Sequence, residues 1–446
     1  MDYLIMGGQL MLSLSILIVL HELGHFLPAR LFGTRVEKFY LFFDPWFELY
    51  KKQIGETEYG IGWLPLGGYV KISGMIDESF DTEQMSEEPQ PWEFRSKPAW
   101  QRLIIMLGGV TVNFILGFLL YGFVLWVYGQ EYLPNENLEY GIQVDSLGQE
   151  MGLRDGDHIL SIAGKPYEQF NDRLVVREII INNADKITVE REGREVEVPI
   201  DPKYVTLLSS YEYKNKALFY PRMPFKIKDI MEDGPAGKAG IKPEDQIIGL
   251  DGQPTPWFID FARAIRGKDG VEVDLTVLRN TSDTLQLSLT TTENGMIGVE
   301  RVLAGELFGT KRKEYSFAQA MPAGVQKGWT FLGDQVKAFG QMFRGRIKAS
   351  ESLGGFGTIG SMFGNEWLWE RFWTMTAVLS LILAFMNLLP IPALDGGHVM
   401  FLLYEMITGR KPSDKFLERA TIVGFVIVIG LVLYANGLDI IRSFFS

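Results

Sequence analysis

From Leu103 to Tyr128 the chain carries no charged residue. A run of that length fits a lipid bilayer, because a helix needs about 20 apolar residues to cross roughly 30 Å of hydrocarbon. Three further runs share its character, from Leu4 to Leu27, Phe372 to Leu394 and Thr421 to Leu438. Four transmembrane helices are therefore expected. The first run follows Met1-Asp2, with no positive n-region and no small-residue cleavage site after it, so it is expected to remain in the mature protein. A composition of 47% hydrophobic and 22% charged residues agrees with a chain partly in lipid.

Lys and Arg near the span ends set the expected orientation, since cytoplasmic loops are enriched in them. Arg30, Arg35 and Lys38 follow the first span, and Arg95, Lys97 and Arg102 precede the second. Arg410, Lys411, Lys415 and Arg419 join the third to the fourth. Both short loops are placed in the cytoplasm. The termini and the long segment 129–371 then face the periplasm of a bacterial inner membrane. A net charge of -12 argues against nucleic acid as a partner, because phosphate binding needs clustered positive charge.

The long segment contains an internal repeat. Gly152-Leu153-Arg154-Asp155-Gly156-Asp157-His158-Ile159 aligns with Gly240-Ile241-Lys242-Pro243-Glu244-Asp245-Gln246-Ile247, 88 residues later, and the match continues through Gly164/Gly252 and Pro166/Pro254. Alternating runs such as Lys186–Glu190 and Glu272–Val277 read as half-buried strands. Two tandem domains of roughly 90 residues fit. The pattern resembles the PDZ domain, most clearly at Ala236-Gly237-Lys238-Ala239-Gly240-Ile241, whereas the first copy has Gly148-Gln149-Glu150-Met151 where small residues belong. PDZ domains bind an extended chain by strand addition, and such modules would select or exclude partners. Spacer domains without a ligand are the alternative. Beyond them, Leu332, Val336, Phe339 and Phe343, interleaved with Lys337, Arg344 and Arg346, read as an amphipathic helix within 316–350 at the lipid surface.

The chemistry lies in the first span, at His21-Glu22-Leu23-Gly24-His25. Residues four apart project from one helix face, so both imidazoles can reach one ion with Glu22 alongside. Ionisable groups inside a bilayer are functional candidates by default. With no cysteine in the chain, any metal must be held by His or carboxylate. Two histidines leave a catalytic zinc one protein ligand short, and the third should be His, Asp or Glu at similar depth. The third span closes with Asn387-Leu388-Leu389-Pro390-Ile391-Pro392-Ala393-Leu394-Asp395-Gly396-Gly397-His398. At 1.5 Å per residue, His21 lies about 26 Å along its span and Asp395 about 34 Å along the other, both counted from outside. They therefore meet near the cytoplasmic half of the bilayer. Pro390 and Pro392 should break the helix there, which suits a wet cavity.

Between the first two spans, Val36–Phe43 before Asp44-Pro45, and Gly60–Leu64 before Pro65-Leu66-Gly67-Gly68 and Tyr69–Ile72, read as unusually apolar hairpins. A free strand edge there would hold an unwound substrate by main-chain pairing, with Gly67 and Gly68 as candidate contacts. The stretch 77–91 is acidic and reads as a solvated linker.

H-E-x-x-H in the first core helix, with N-x-x-P-x-x-x-L-D-G-G some 360 residues later, resembles the site-2 protease family of intramembrane zinc metalloproteases. The resemblance covers essentially the whole chain. It implies that His21, His25 and Asp395 bind Zn2+, that Glu22 is the general base and later acid, and that Asn387 helps hold the substrate. It also implies a β-hairpin loop, 36–73, re-entering the membrane beside the metal. Expected substrates are single-span membrane proteins of the anti-sigma factor type and remnant signal peptides. Where relatives often carry Ser-Gly-Pro-Ile, this chain reads Leu353-Gly354-Gly355-Phe356-Gly357-Thr358-Ile359.

The expected fold is thus a polytopic α-helical membrane protein with a membrane-associated β-hairpin region and two periplasmic PDZ-like α+β domains. Residues 1–128 and 372–446 form the two halves of the membrane core, and 129–220 and 221–305 the two repeats. Two other functions compete with proteolysis. A proton or ion carrier could use His21, Glu22 and Asp395 as a relay, although no inverted repeat is present. An inactive PDZ scaffold would bind no zinc and cleave nothing.

Overall fold

The computed structural model describes residues 2–65, 67–75, 88–214 and 216–445. The expected acidic linker at 77–91 lies outside the described residues as far as position 87. The chain forms two compact bodies, one from Met1–Gly129, Glu314–Val336 and Leu353–Ser446, the other from Gln130–Lys313 and Lys337–Ser352.

In the first body the order is α1 (Asp2–Leu31), β1 (Val36–Leu41), β2 (Phe43–Ile54), β3 (Thr57–Leu64), β4 (Tyr69–Ile72) and α2 (Ala99–Tyr128). There follow α3 (Phe317–Phe343), which continues into the second body, α4 (Phe356–Phe363), α5 (Trp369–Asn387), α6 (Asp395–Thr408) and α7 (Asp414–Phe445). Among the described residues, three helices are long and apolar enough to cross a membrane: α1, α2 and Lys415–Ser443 within α7. The third expected span, Phe372 to Leu394, is shorter than its apolar run. Its helix α5 has 19 residues, opens with Glu370 and Arg371, and stops at Asn387 before the two prolines. The chain then restarts as α6, a helix the sequence reading did not anticipate.

Helices α1 and α2 cross backbone to backbone. A Cβ on Gly24 would lie 2.5 Å from the Gly108 carbonyl oxygen, and one on Gly108 would strike the Gly24 oxygen. That oxygen is the acceptor that Pro28, inside α1, leaves without a donor. Small residues permit this approach where lipid supplies no hydrophobic drive. Polar pairs fasten the other contacts: Ser13 with Thr376 at 3.0 Å, and the Ser380 hydroxyl donating to the Asn113 carbonyl at 2.7 Å. Leu332 of α3 is buried with Tyr121, Ala377 and Leu381 rather than facing lipid, while Val336 and Phe343 are exposed.

The four strands form a sheet in the order β2-β3-β1-β4. The expected pairing of hairpins is corrected here. β3 inserts between β2 and β1, antiparallel to the first and parallel to the second, and β4 runs antiparallel to β1. Phe42, at φ 68°, turns the chain between β1 and β2 and so leaves room for β3. Pro45 sits in β2, where an edge strand tolerates a missing N–H. Among the described residues β4 is the last strand on its side of the sheet.

In the second body the two repeats share a three-stranded core. His158–Ile162, Lys186–Arg191 and Arg194–Pro199 in the first pair as Gln246–Leu250, Glu272–Arg279 and Asp283–Thr290 do in the second. Each repeated Asp is buried and bridged twice by an arginine on the neighbouring strand, Asp157 by Arg191 and Asp245 by Arg279, 88 residues apart in both members. Each arginine also donates to the carbonyl of the repeated glycine, Gly152 or Gly240, which has φ of 98° or 84°. Burial pushes the Asp245 carboxyl up, but hydrogen bonds from Arg279 and the Lys242 N–H outweigh it and leave it below its ordinary value. This stabilisation is present above the ordinary carboxylate range and lost as pH falls through the lowered value. Arg279→Met, which strands a buried carboxylate, is expected to destabilise the second repeat by roughly 3 kcal/mol at neutral pH. Faster amide exchange confined to that repeat, with the difference narrowing in acid, is the readout.

The repeats differ at one segment. In the first, 200–218 contains the helix Lys203–Ser209, whose Tyr204, Val205 and Leu208 join the core with Val175 and Ile179 of the helix Asp172–Asn182. In the second, the short segment 291–298 leaves open an apolar groove of about 650 Å³ lined by Phe258, Phe261, Ile265, Met296 and Val299.

Candidate metal centre

His21, Glu22 and His25 lie in the inner part of α1, and Asp395 is the first residue of α6. His21 Nε2 and His25 Nε2 are 3.3 Å apart, and each is 3.4 Å from Asp395 Oδ2. Bonds of about 2.0–2.1 Å to a tetrahedral zinc require ligand atoms about 3.3–3.4 Å apart. The three atoms therefore outline one face of such a tetrahedron, with the fourth corner left to a non-protein ligand. Asp395 Oδ2 is buried without a hydrogen-bond partner, as expected of an atom reserved for a cation. Among the described residues this is the one group of three metal-capable side chains.

Each histidine ring is held from behind. The Ile105 carbonyl lies 2.8 Å from His25 Nδ1, and the Asn113 amide lies 3.1 Å from His21 Nδ1. Both partners belong to α2. Gly109, between them, has no room for a side chain: a Cβ there would come within 2.6 Å of His21 Cε1 and closer still to His25 Nε2. On the other side, Leu388 to Leu394 delivers Asp395 through a turn in which Ala393 takes φ 84°. Gly396 and Gly397 let α6 press on that turn, since Cβ atoms there would meet the Leu389 and Ile391 carbonyls. A left-handed alanine two residues before Asp395 is strain that the packing maintains.

The remaining expected residues fall as follows. Glu22 faces the backbone of Val70 on β4, so the sheet reaches the centre. Asn387 Nδ2 lies 3.3 Å from His21 Nε2. Gly67 and Gly68 are seated tightly, the first against the Phe43 ring, the second against Ile18 and the Tyr40 carbonyl. Gly109, Asn113 and Ile105 were missed in the sequence. The signal was present, because Asn113 is a lone amide in an otherwise uncharged apolar span.

The family model for Peptidase family M50 matches residues 9–431. The chain is 28% identical to the regulator of sigma-E protease RseP of Escherichia coli, across 96% of this chain and 97% of the relative. It is 25% identical to the regulator of sigma E protease of Haemophilus influenzae, across 99% and 100%. The regulator of sigma-E protease RseP of Salmonella typhimurium is 27% identical across 95% and 96%.

Proposed function

Since the chain belongs to peptidase family M50, the site-2 type of zinc metalloprotease, we propose that it hydrolyses peptide bonds within or beside the membrane segments of single-span proteins. The observation that carries this reading is the triangle of His21 Nε2, His25 Nε2 and Asp395 Oδ2, with a glutamate beside it on an apolar helix. His21, His25 and Asp395 hold the ion. Zinc, when bound, supplies a Lewis acid for the scissile carbonyl and lowers the pKa of water at the open position. Glu22 would take a proton from the attacking water and return it to the leaving amine, with the Val70 backbone facing its carboxylate. Asn387, at the metal-facing side of His21, is placed to hold the substrate main chain.

A transmembrane helix keeps its carbonyls in internal hydrogen bonds and must unwind to be cut. β4, the last strand of its sheet among the described residues and the one beside Glu22, is where an unwound strand would find new partners. Pro at Tyr69 or at Ile61 does not isolate such pairing, because Tyr69 faces Tyr40 of β1 and β3 is interior to the sheet, so either change would also break the sheet itself.

We put substrates of the anti-sigma factor class and remnant signal peptides first among candidates, and the relatives' names as regulators of sigma-E support the former. Four spans, counting α5, with the termini and repeats in the periplasm, follow from the Lys and Arg distribution. We read the repeats as PDZ modules, with an open groove in the second. Zinc analysis combined with cleavage of a purified single-span substrate tests the whole reading. One zinc per chain with cleavage supports it, and proton or ion transport without cleavage would replace it by the carrier.

A further inference from the structure

We infer that Asn113 is a positioning residue that fixes His21 in the tautomer needed to bind metal. This rests on the metal-centre reading above and adds a residue that the site motifs leave out.

The two histidines present the same problem and receive different solutions. A ring that binds through Nε2 must carry its proton on Nδ1, and that proton needs an acceptor to hold the ring in place. For His25 the acceptor is a main-chain carbonyl, Ile105 O at 2.8 Å, which can only accept and so leaves no choice of tautomer. For His21 the neighbour is the Asn113 side chain at 3.1 Å. An amide can turn either end to its partner, and the two ends look alike to the backbone around them. The far end of the Asn113 amide is buried with no partner, and would be so in either orientation, so the choice falls to the His21 side. With the oxygen toward His21, it accepts from Nδ1–H and frees Nε2 toward His25 and Asp395. Metal binding thus selects the second orientation.

Asn113 can perform this because it cannot move away. It is fully buried, and its main-chain carbonyl accepts from Ser380 of α5 at 2.7 Å. Asn387 does not duplicate the role, since it approaches His21 at Nε2, the metal-facing nitrogen.

The test uses the full-length chain in detergent and reads zinc affinity by chelator competition. Asn113→Leu, close in size but without an acceptor, is expected to bind zinc 10–100-fold more weakly. Asn113→Asp, which keeps an acceptor, is expected to stay within a few-fold of the parent. Asn113→Ala removes the acceptor without adding bulk and gives the same reading if the leucine form fails to fold. The chain has four histidines, so 15N-histidine spectra can follow His21. The zinc-bound parent and the metal-free aspartate form, whose carboxylate can only accept, should hold one tautomer, and the metal-free leucine or alanine form should populate both. Zinc affinity unchanged in the leucine and alanine forms, or equally weakened in the aspartate form, would overturn the inference and reduce Asn113 to packing. A parent chain that binds no zinc would overturn the metal-centre reading itself, and this inference with it.

Discussion

Glu22→Gln is expected to bind zinc as the parent does and to cleave a single-span substrate about 10²–10⁴-fold more slowly. Glutamine keeps the length of the side chain and can still face the Val70 backbone, so the local structure should persist. What it loses is the ability to take and return a proton. Glu22 is not a corner of the triangle formed by His21, His25 and Asp395, which is why metal and activity should separate in this variant. Metal analysis beside a cleavage assay checks it. Near-parental turnover would remove Glu22 from the mechanism.

The second large effect is expected at a residue with no functional group. Gly109→Ala adds one methyl group where His21 and His25 already stand. One ring contact is 2.6 Å, closer than real Cβ atoms come, and the atoms in the way belong to ligands held from behind by Ile105 and Asn113. The rings must shift out of the triangle, and zinc affinity should fall on the order of 100-fold. Gly8→Ala on α1 is the control, since nothing lies within 4 Å of a Cβ there. Chelator competition on both variants makes the comparison, and parental affinity in Gly109→Ala would show that the helices can part at no cost.

The readings that came from the sequence alone divide by physical cause. His21, Glu22 and His25 are legible because spacing on one helix is a local property, and Asp395 joins them because depth along a span can be counted. The duplicated strands were legible from alternation and a constant offset. The pairing of β1 with β3 was not, because a parallel pair brings together segments about 20 residues apart in sequence through a sheet whose order no local pattern encodes. Helix α6 was hidden by Gly396 and Gly397, which weaken helix propensity and here serve close packing against the turn instead. Gly109 and Asn113 were hidden by charge counting. A run without ionisable groups reads as plain membrane anchor, although one amide and two adjacent glycines in it shape the centre.

His21 and Asp395 stand at opposite ends of the chain, and this bears on the birth of the protein. Asp395 leaves the ribosome 374 residues after His21, roughly 20–75 s later at about 5–20 residues per second. Throughout that interval the nascent chain carries His21, Glu22 and His25 without the third corner of the triangle. On the proposed reading the metal site is then assembled only once Asp395 has arrived, with α7 still to follow, so a chain truncated before Asp395 would be expected to lack activity.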